Sequence, residues 1–183
     1  MVSAGEGVNG NKTFQGRLGY AAGPFNGAVS YGTTAVTGSV DGTIWNIAGS
    51  FNAGAIGTFS AFYDELEVNT FKQKNWYVGY QVGFGATTLK ASYGEVDRSG
   101  TPAGVLCGAT VTSTCVTQGD AKQFALGFTY DLSKRTAVYG TYASISNNGT
   151  RFRTSNLTAP AAGAYNTLGK DATGYEFGVR HSF

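Results

Sequence analysis

Along most of this chain, aromatic and aliphatic side chains alternate with small or polar ones. The alternating segments run about 9–11 residues, the length a tilted strand needs to cross a bilayer. Successive side chains of a strand point to opposite faces, so each such segment reads as a strand with one apolar and one polar face. Nine are expected, over 12–22, 25–34, 42–53, 57–67, 75–85, 87–96, 121–131, 135–145 and 173–183. Phe14, Leu18 and Tyr20 fall opposite Thr13, Gln15 and Arg17; Trp76, Val78, Tyr80, Val82 and Phe84 fall opposite Tyr77, Gly79 and Gln81; Tyr175, Phe177, Val179, His181 and Phe183 fall opposite Glu176, Gly178 and Arg180. The pattern is least clean over 135–145, where Val138, Gly140 and Tyr142 are assigned to the apolar face.

Composition narrows what such strands can build. Charged residues are 13% of the chain, about half the usual share of roughly 25%, yet mean hydropathy is −0.12 because Thr and Asn supply polarity without charge. With 28 Gly and only 8 Leu a helical bundle is excluded, since Gly weakens helices. No apolar run is long enough for a transmembrane helix. Aromatics at 14% are too many for a disordered chain. A net charge of +2 with scattered Lys and Arg does not describe a nucleic-acid binder.

The connections are expected to alternate between short (23–27, 52–55, 84–87, 131–135) and long (34–42, 66–74, 97–120, 146–172). Tight turns at one rim and longer loops at the other, with aromatics at strand ends on the outer face, describe an antiparallel transmembrane β-barrel. In hydrocarbon every backbone polar group needs a protein partner, so such a sheet closes on itself. Outward side chains meet lipid and inward ones meet water, which lets a membrane protein be polar on average. Cys107 and Cys115 lie eight residues apart in one Gly/Thr/Ser-rich loop. They suggest a local disulfide and an oxidising compartment; the alternative is two unrelated thiols. Two Cys without a nearby His do not make a zinc set. The start, MVSAGEGVNGNKTF, has no secretory signal pattern, so either a signal was removed or the chain is part of something longer.

The last strand, TGYEFGVRHSF, ends on Phe183 and resembles the signal read by the outer-membrane barrel assembly machinery; Tyr175, Phe177, Val179 and Phe183 carry that resemblance. The stretch FALGFTYDLSKRTAVYGTYASISN resembles the tight turn and penultimate strand of trimeric general-diffusion porins of the β-proteobacterial type. WYVGYQVGFGATTLKASYGEVD and GRLGYAAGPFNGAVSYG resemble interior hairpins of the same family. The resemblance implies a barrel of about sixteen strands, of which these nine would be the last nine. The earlier strands and the constriction loop would be missing, and residues 1–10 would be the remnant of an extracellular loop. It also implies a homotrimer and passage of small hydrophilic solutes and ions.

Gln15, Arg17, Gln81, Lys90, Gln123, Glu176 and Arg180 are the inward residues expected to line the water-filled pore. Basic positions outnumber acidic ones, which leans toward anion preference; each residue could equally be a solvated part of the wall. Outer-membrane lipid and lipopolysaccharide are the expected partners outside, with no cofactor and no metal. Two other functions compete. One is a complete small barrel of about eight to ten strands with a structural or adhesin-like role, its interior packed with side chains. The other is an outer-membrane enzyme, but the single His, His181, falls on the outer face with no orienting carboxylate. Asp64, Glu65 and Glu67 could bind a divalent cation or be a solvated strand end. The match of Gly5–Gly10 to G-x-G-x-x-G lacks the strand before and helix after that a dinucleotide site needs.

Overall fold

The computed structural model describes residues 2–6, 12–37, 40–100, 119–148 and 171–183. Cys107 and Cys115 lie outside these residues. The described chain forms a single antiparallel sheet of ten strands that follow one another in sequence order. They are β1 (Val2–Glu6), β2 (Lys12–Ala22), β3 (Phe25–Thr37), β4 (Val40–Asn52), β5 (Thr58–Val68), β6 (Phe71–Phe84), β7 (Thr87–Ser99), β8 (Gly119–Asp131), β9 (Thr136–Asn148) and β10 (Ala172–His181). A 3-10 turn, Gly54–Ile56, separates β4 from β5. The nine expected strands are all present. The tenth, β1, corrects the expectation of a loop at residues 1–10. Its five residues pair Val2 with Gly16 through Glu6 with Lys12. A strand this short carries too few alternations to register as a pattern, and backbone hydrogen bonding alone is enough to add it to the edge.

Two connections expected to be long are tight. β5 runs to Val68 and β6 begins at Phe71, leaving Asn69-Thr70 as the turn; β3 and β4 are separated by residues 38–39 alone. In the turns at Gly23-Pro24, Gly85-Ala86 and Asn69-Thr70, only the first central residue has positive φ. That is the II′ pattern, whose twist matches that of the flanking strands.

Cross-strand register sorts the side chains onto two faces. On the apolar face, one row runs Phe25–Phe51–Phe59–Tyr80–Ala91–Leu126–Tyr142–Tyr175 across eight strands. Within it the rings of Phe25 and Phe51, and of Phe59 and Tyr80, pack with centroids 4.8 Å apart. Nearer the other rim, Trp45 packs on Tyr63 at 5.1 Å and Trp76 on Tyr93 at 5.3 Å. Val29, Ile47, Ala61 and Val78 fill the space between these two aromatic belts. Trp45 and Phe51 are six residues apart on β4; at roughly 3.4 Å per residue that is ~20 Å, comparable to the ~25 Å apolar band of membrane barrels. Among the described residues no charged side chain of this face lies between the belts. The face is open to its surroundings: Leu18 is 74% and Tyr175 75% exposed.

Beyond the second belt the apolar face becomes charged, while the opposite face mixes apolar side chains with polar ones such as Gln73 and Arg98. The apolar face now carries Glu65, Glu67, Lys72, Lys74, Glu95, Asp97, Asp120 and Lys122, with Lys72–Glu67 paired at 3.2 Å and Lys122–Glu95 at 3.7 Å. The opposite face, polar up to there, carries Val68, Phe71, Val96, Ala121 and Ile145. Val68 is 1% exposed, and Val96 packs against Ala121 and Ile145. Val68, Phe71, Ala121 and Ile145 are thus buried apolar side chains on the polar face, at its loop end.

Candidate functional site: the polar face of the sheet

The polar face is organised by rows of directly opposed residues. One runs Thr58–Gln81–Lys90–Gly127–Thr141–Glu176 across β5 to β10. Three residues expected to line a pore, Gln81, Lys90 and Glu176, thus fall on a single row. A second row runs Arg17–Ser30–Asn46–Asp64–Asn75 across β2 to β6 without an apolar interruption. Within it the Ser30 hydroxyl donates to Asn46 Oδ1 at 2.9 Å and Asn75 Nδ2 donates to Asp64 Oδ2 at 2.7 Å. Gln15 opens a third row, Gln15–Gly32–Ile44–Leu66–Gln73–Arg98. Gln123 lies between Gly94 and Ile145, and Arg180 opposite Ala137. The seven expected residues are all exposed on this face and spread over its whole width, without converging on one point.

Among the described residues, concavities interrupt the face at these three places. One of about 360 Å³ takes in Ser60, Gln81, Lys90 and Thr141. One of about 310 Å³ takes in Arg17, Asn26, Ser50 and Tyr77. The third, about 600 Å³, is lined by Phe62, Asp64, Asn75, Arg98, Gln123 and Ile145. Here the hydrogen bonds join into a chain. Arg98 Nε donates to Gln73 Oε1 at 2.6 Å, Gln73 Nε2 to Asn75 Oδ1 at 3.3 Å, and Asn75 to Asp64. Asp64 is 7% exposed, so its carboxylate sits within the wall while Arg98 is part-exposed. At the other end of the sheet, the Tyr139 hydroxyl donates to Glu176 Oε1 at 3.0 Å.

Sequence reasoning did not single out Gln73, Asn75 or Arg98. Gln73 and Arg98 fall in stretches expected to be loops, and Asn75 in the first position of its segment. The alternation Phe71-Gln73-Asn75-Tyr77 was the available signal, since it continues the polar face of β6 without a break. The grouping of Asp64, Glu65 and Glu67 does not hold together: Asp64 faces one side, Glu65 and Glu67 the other, and Glu67 pairs with Lys72. Among the described residues no three metal-ligating side chains gather. His181 lies on the apolar face beside Thr136, its Nδ1 2.9 Å from the hydroxyl, and its ring meets Phe183 edge-on. Tyr175, Phe177 and Val179 are exposed on one side of β10, and Phe183, two residues past its end, is exposed as well.

A sheet in sequence order with two aromatic belts on one face is an outer-membrane architecture, and residues 2–150 match the model of the Gram-negative porin family. The chain belongs to that family. It is 39% identical over 66 residues to outer membrane porin protein 32 of Delftia acidovorans, a match covering 34% of this chain and 18% of that protein. Its fold is that of the anion-selective porin from Comamonas acidovorans, with a TM-score of 0.69 and 24% identity, covering 94% of this chain and 49% of that one. OmpT, an outer membrane protein of Vibrio cholerae, is similar over 98% of this chain and 59% of its own, with a TM-score of 0.57 and 16% identity. The chain thus spans about half the length of the solved porin it matches. The porin is an outer-membrane protein that crosses with strands, and its family and fold are those of channel proteins.

Proposed function

We propose that the porin containing this chain forms a water-filled channel for passive diffusion of small hydrophilic solutes and ions, with a preference for anions. The observation that carries this reading is the two-sidedness of the sheet. One face is charge-free and aromatic over a bilayer's thickness; the other is lined by exposed polar groups and concavities. Lipid and lipopolysaccharide cover the first face, and water fills the space before the second. Gln15, Arg17, Gln81, Lys90, Gln123, Glu176 and Arg180 are then wall residues of the pore. The described polar face carries Arg17, Lys90, Arg98 and Arg180 against Asp64, Asp131 and Glu176. The most deeply set of the acids, Asp64, is bonded to Asn75. That balance supports an anion preference, and the Comamonas acidovorans porin of the same fold is described as anion-selective.

The channel needs no catalytic residue: His181 faces outward, away from the polar wall. Tyr175, Phe177 and Val179, exposed on an edge strand, and the exposed Phe183 just past it are the side chains the assembly machinery would read, and a homotrimer is the proposed assembly. A complete small barrel is the weaker reading, because the ten described strands form an open sheet and its relatives are longer chains. Planar-bilayer recordings of the outer-membrane protein that carries this chain, in a salt gradient, test the proposal. Stepwise conductance with an anion-sign reversal potential is expected. A cation-sign potential overturns the anion preference, and no conductance overturns the channel.

A further inference from the structure

We infer that Phe62 and Tyr77, with Lys90 beside them, form a binding subsite on the polar wall for solutes that carry an aromatic ring and a carboxylate. The inference rests on the channel reading and adds the class of solute the wall would hold. Between the belts this face is built mainly of small and polar side chains, and Phe62 and Tyr77 are large rings set among them. They are directly opposed on the β5–β6 pair. Phe62 is 37% and Tyr77 41% exposed, so the wall covers neither ring. Tyr77 lines each of the three recesses and Phe62 two of them. Water beside an exposed ring is released when another ring stacks on it, and offset or edge contacts between rings add attraction of their own.

The next row toward the short turns, Ser50–Ser60–Gly79–Ser92–Ala125, is small throughout. Tyr77 leans over it: a Cβ on Gly79 would meet the Tyr77 hydroxyl and ring edge. The row beyond carries Gln81 and Lys90. Four residues along a strand make a trough about 14 Å from bank to bank, with rings on one bank and an ammonium group on the other. Tyr77, Gln81, Lys90 and Ser92 all line the recess of about 360 Å³, and among the described residues of that lining Lys90 alone is charged. The acid of its row, Glu176, stands three strands away, about 14 Å, and accepts the Tyr139 hydroxyl. An aromatic carboxylate matches both banks. Its ring meets Tyr77 and Phe62, and its carboxylate turns to Lys90, with the Ser92 hydroxyl and Gln81 amide as further donors. A sugar would use the rings and leave the ammonium group without a counter-charge; a small inorganic anion would use the ammonium group and not the rings.

The test measures block of chloride current through the outer-membrane protein that carries this chain, in planar bilayers, as benzoate, acetate or glucose is added at fixed ionic strength. Each variant is first checked for native heat-modifiable mobility. Benzoate is expected to halve the current at a concentration about fivefold lower than acetate. Tyr77→Leu should weaken the benzoate block about fivefold, and Phe62→Leu should weaken it in the same direction. Tyr77→Phe, which keeps the ring without the hydroxyl, should fall between wild type and Tyr77→Leu. Lys90→Gln should weaken the benzoate block about threefold and spare block by benzyl alcohol, which has the ring without the charge. Equal block by benzoate and acetate, or a benzoate block unmoved in Tyr77→Leu, overturns the inference while leaving the channel in place. Glucose blocking as strongly as benzoate overturns the carboxylate class. Equal weakening of benzoate and benzyl alcohol in Lys90→Gln removes Lys90 from the subsite. A wild-type protein without chloride current removes the channel, and this inference with it.

Discussion

Tyr139 lies across Gly178, its directly opposed partner, and Phe128 and Phe177 close over Gly140 from either side. Tyr77 reaches over Gly79, two residues along its own strand. A ring laid flat over a neighbouring glycine shields backbone hydrogen bonds and fills the gap left by the missing side chain. This accounts for a chain rich in both residue types. Gly57 has a different constraint. Its φ is +118°, and a Cβ there would collide with the carbonyl of Gln81. Its N–H donates to Gly54 O and its own carbonyl accepts from Ala53, which pins the 3-10 turn against β5. Gly57→Ala is expected to destabilise the folded protein by about 1–3 kcal/mol. Gly16→Ala, where a Cβ meets nothing within 4 Å, should leave stability within about 0.5 kcal/mol. Urea unfolding of both variants in lipid vesicles, followed by tryptophan fluorescence, measures the difference. Equal midpoints would show that the turn yields freely.

At the scale of the strand, the same alternation that made nine elements legible also hid their ends. Between the belts, one face meets lipid and the other water, so apolar and polar residues alternate cleanly. Past Trp45, Tyr63 and Trp76 the outward side chains leave the apolar band. Glu65, Glu67, Lys72 and Lys74 then point outward while Leu66, Val68 and Phe71 turn to the other face. The period of two persists there in the backbone, but in Lys72-Gln73-Lys74-Asn75 and Asp97-Arg98 both faces carry polar groups, so the alternation disappears and the run reads as a loop. Gln73 and Arg98 therefore do not stand out from the pattern, whereas Gln81 and Lys90, between apolar neighbours, do. Paired carboxylates close in sequence, such as Asp64 and Glu65, look like one cluster until strand geometry divides them. The zonation makes a graded prediction along β6. Val78→Arg, between the belts, should cost about 2–4 kcal/mol of stability in bilayers. Lys74→Arg, above the belt, should cost almost nothing. Urea titrations in vesicles would detect the gradient, and similar values for the two would mean that the band was drawn at the wrong height.

For the whole molecule, the constraint that governs everything else is the pair of edges. β1 and β10 each have one strand neighbour in the described sheet and are not paired with each other. An unpaired edge in hydrocarbon leaves a row of backbone donors and acceptors without partners, at several kcal/mol for each group. The aromatic face, by contrast, is already complete for lipid from β2 to β10. A chain of these 183 residues alone therefore has the surface of a membrane barrel without its closure. Pairing its edges within ten strands demands a small barrel. Yet the polar face carries Gly19, Ala28, Ala48, Gly79, Ser92, Gly127 and Ala143, side chains too small to fill so narrow an interior. Small wall residues suit a wide, water-filled lumen, in which bulk is not needed. The expectation is that the 183-residue chain, refolded alone into vesicles, is rich in strand by circular dichroism. It should pair edge to edge into oligomers on cross-linking and give no uniform conductance step. A monomer with discrete, reproducible conductance would demonstrate that ten strands close unaided, and the argument from wall size would fail.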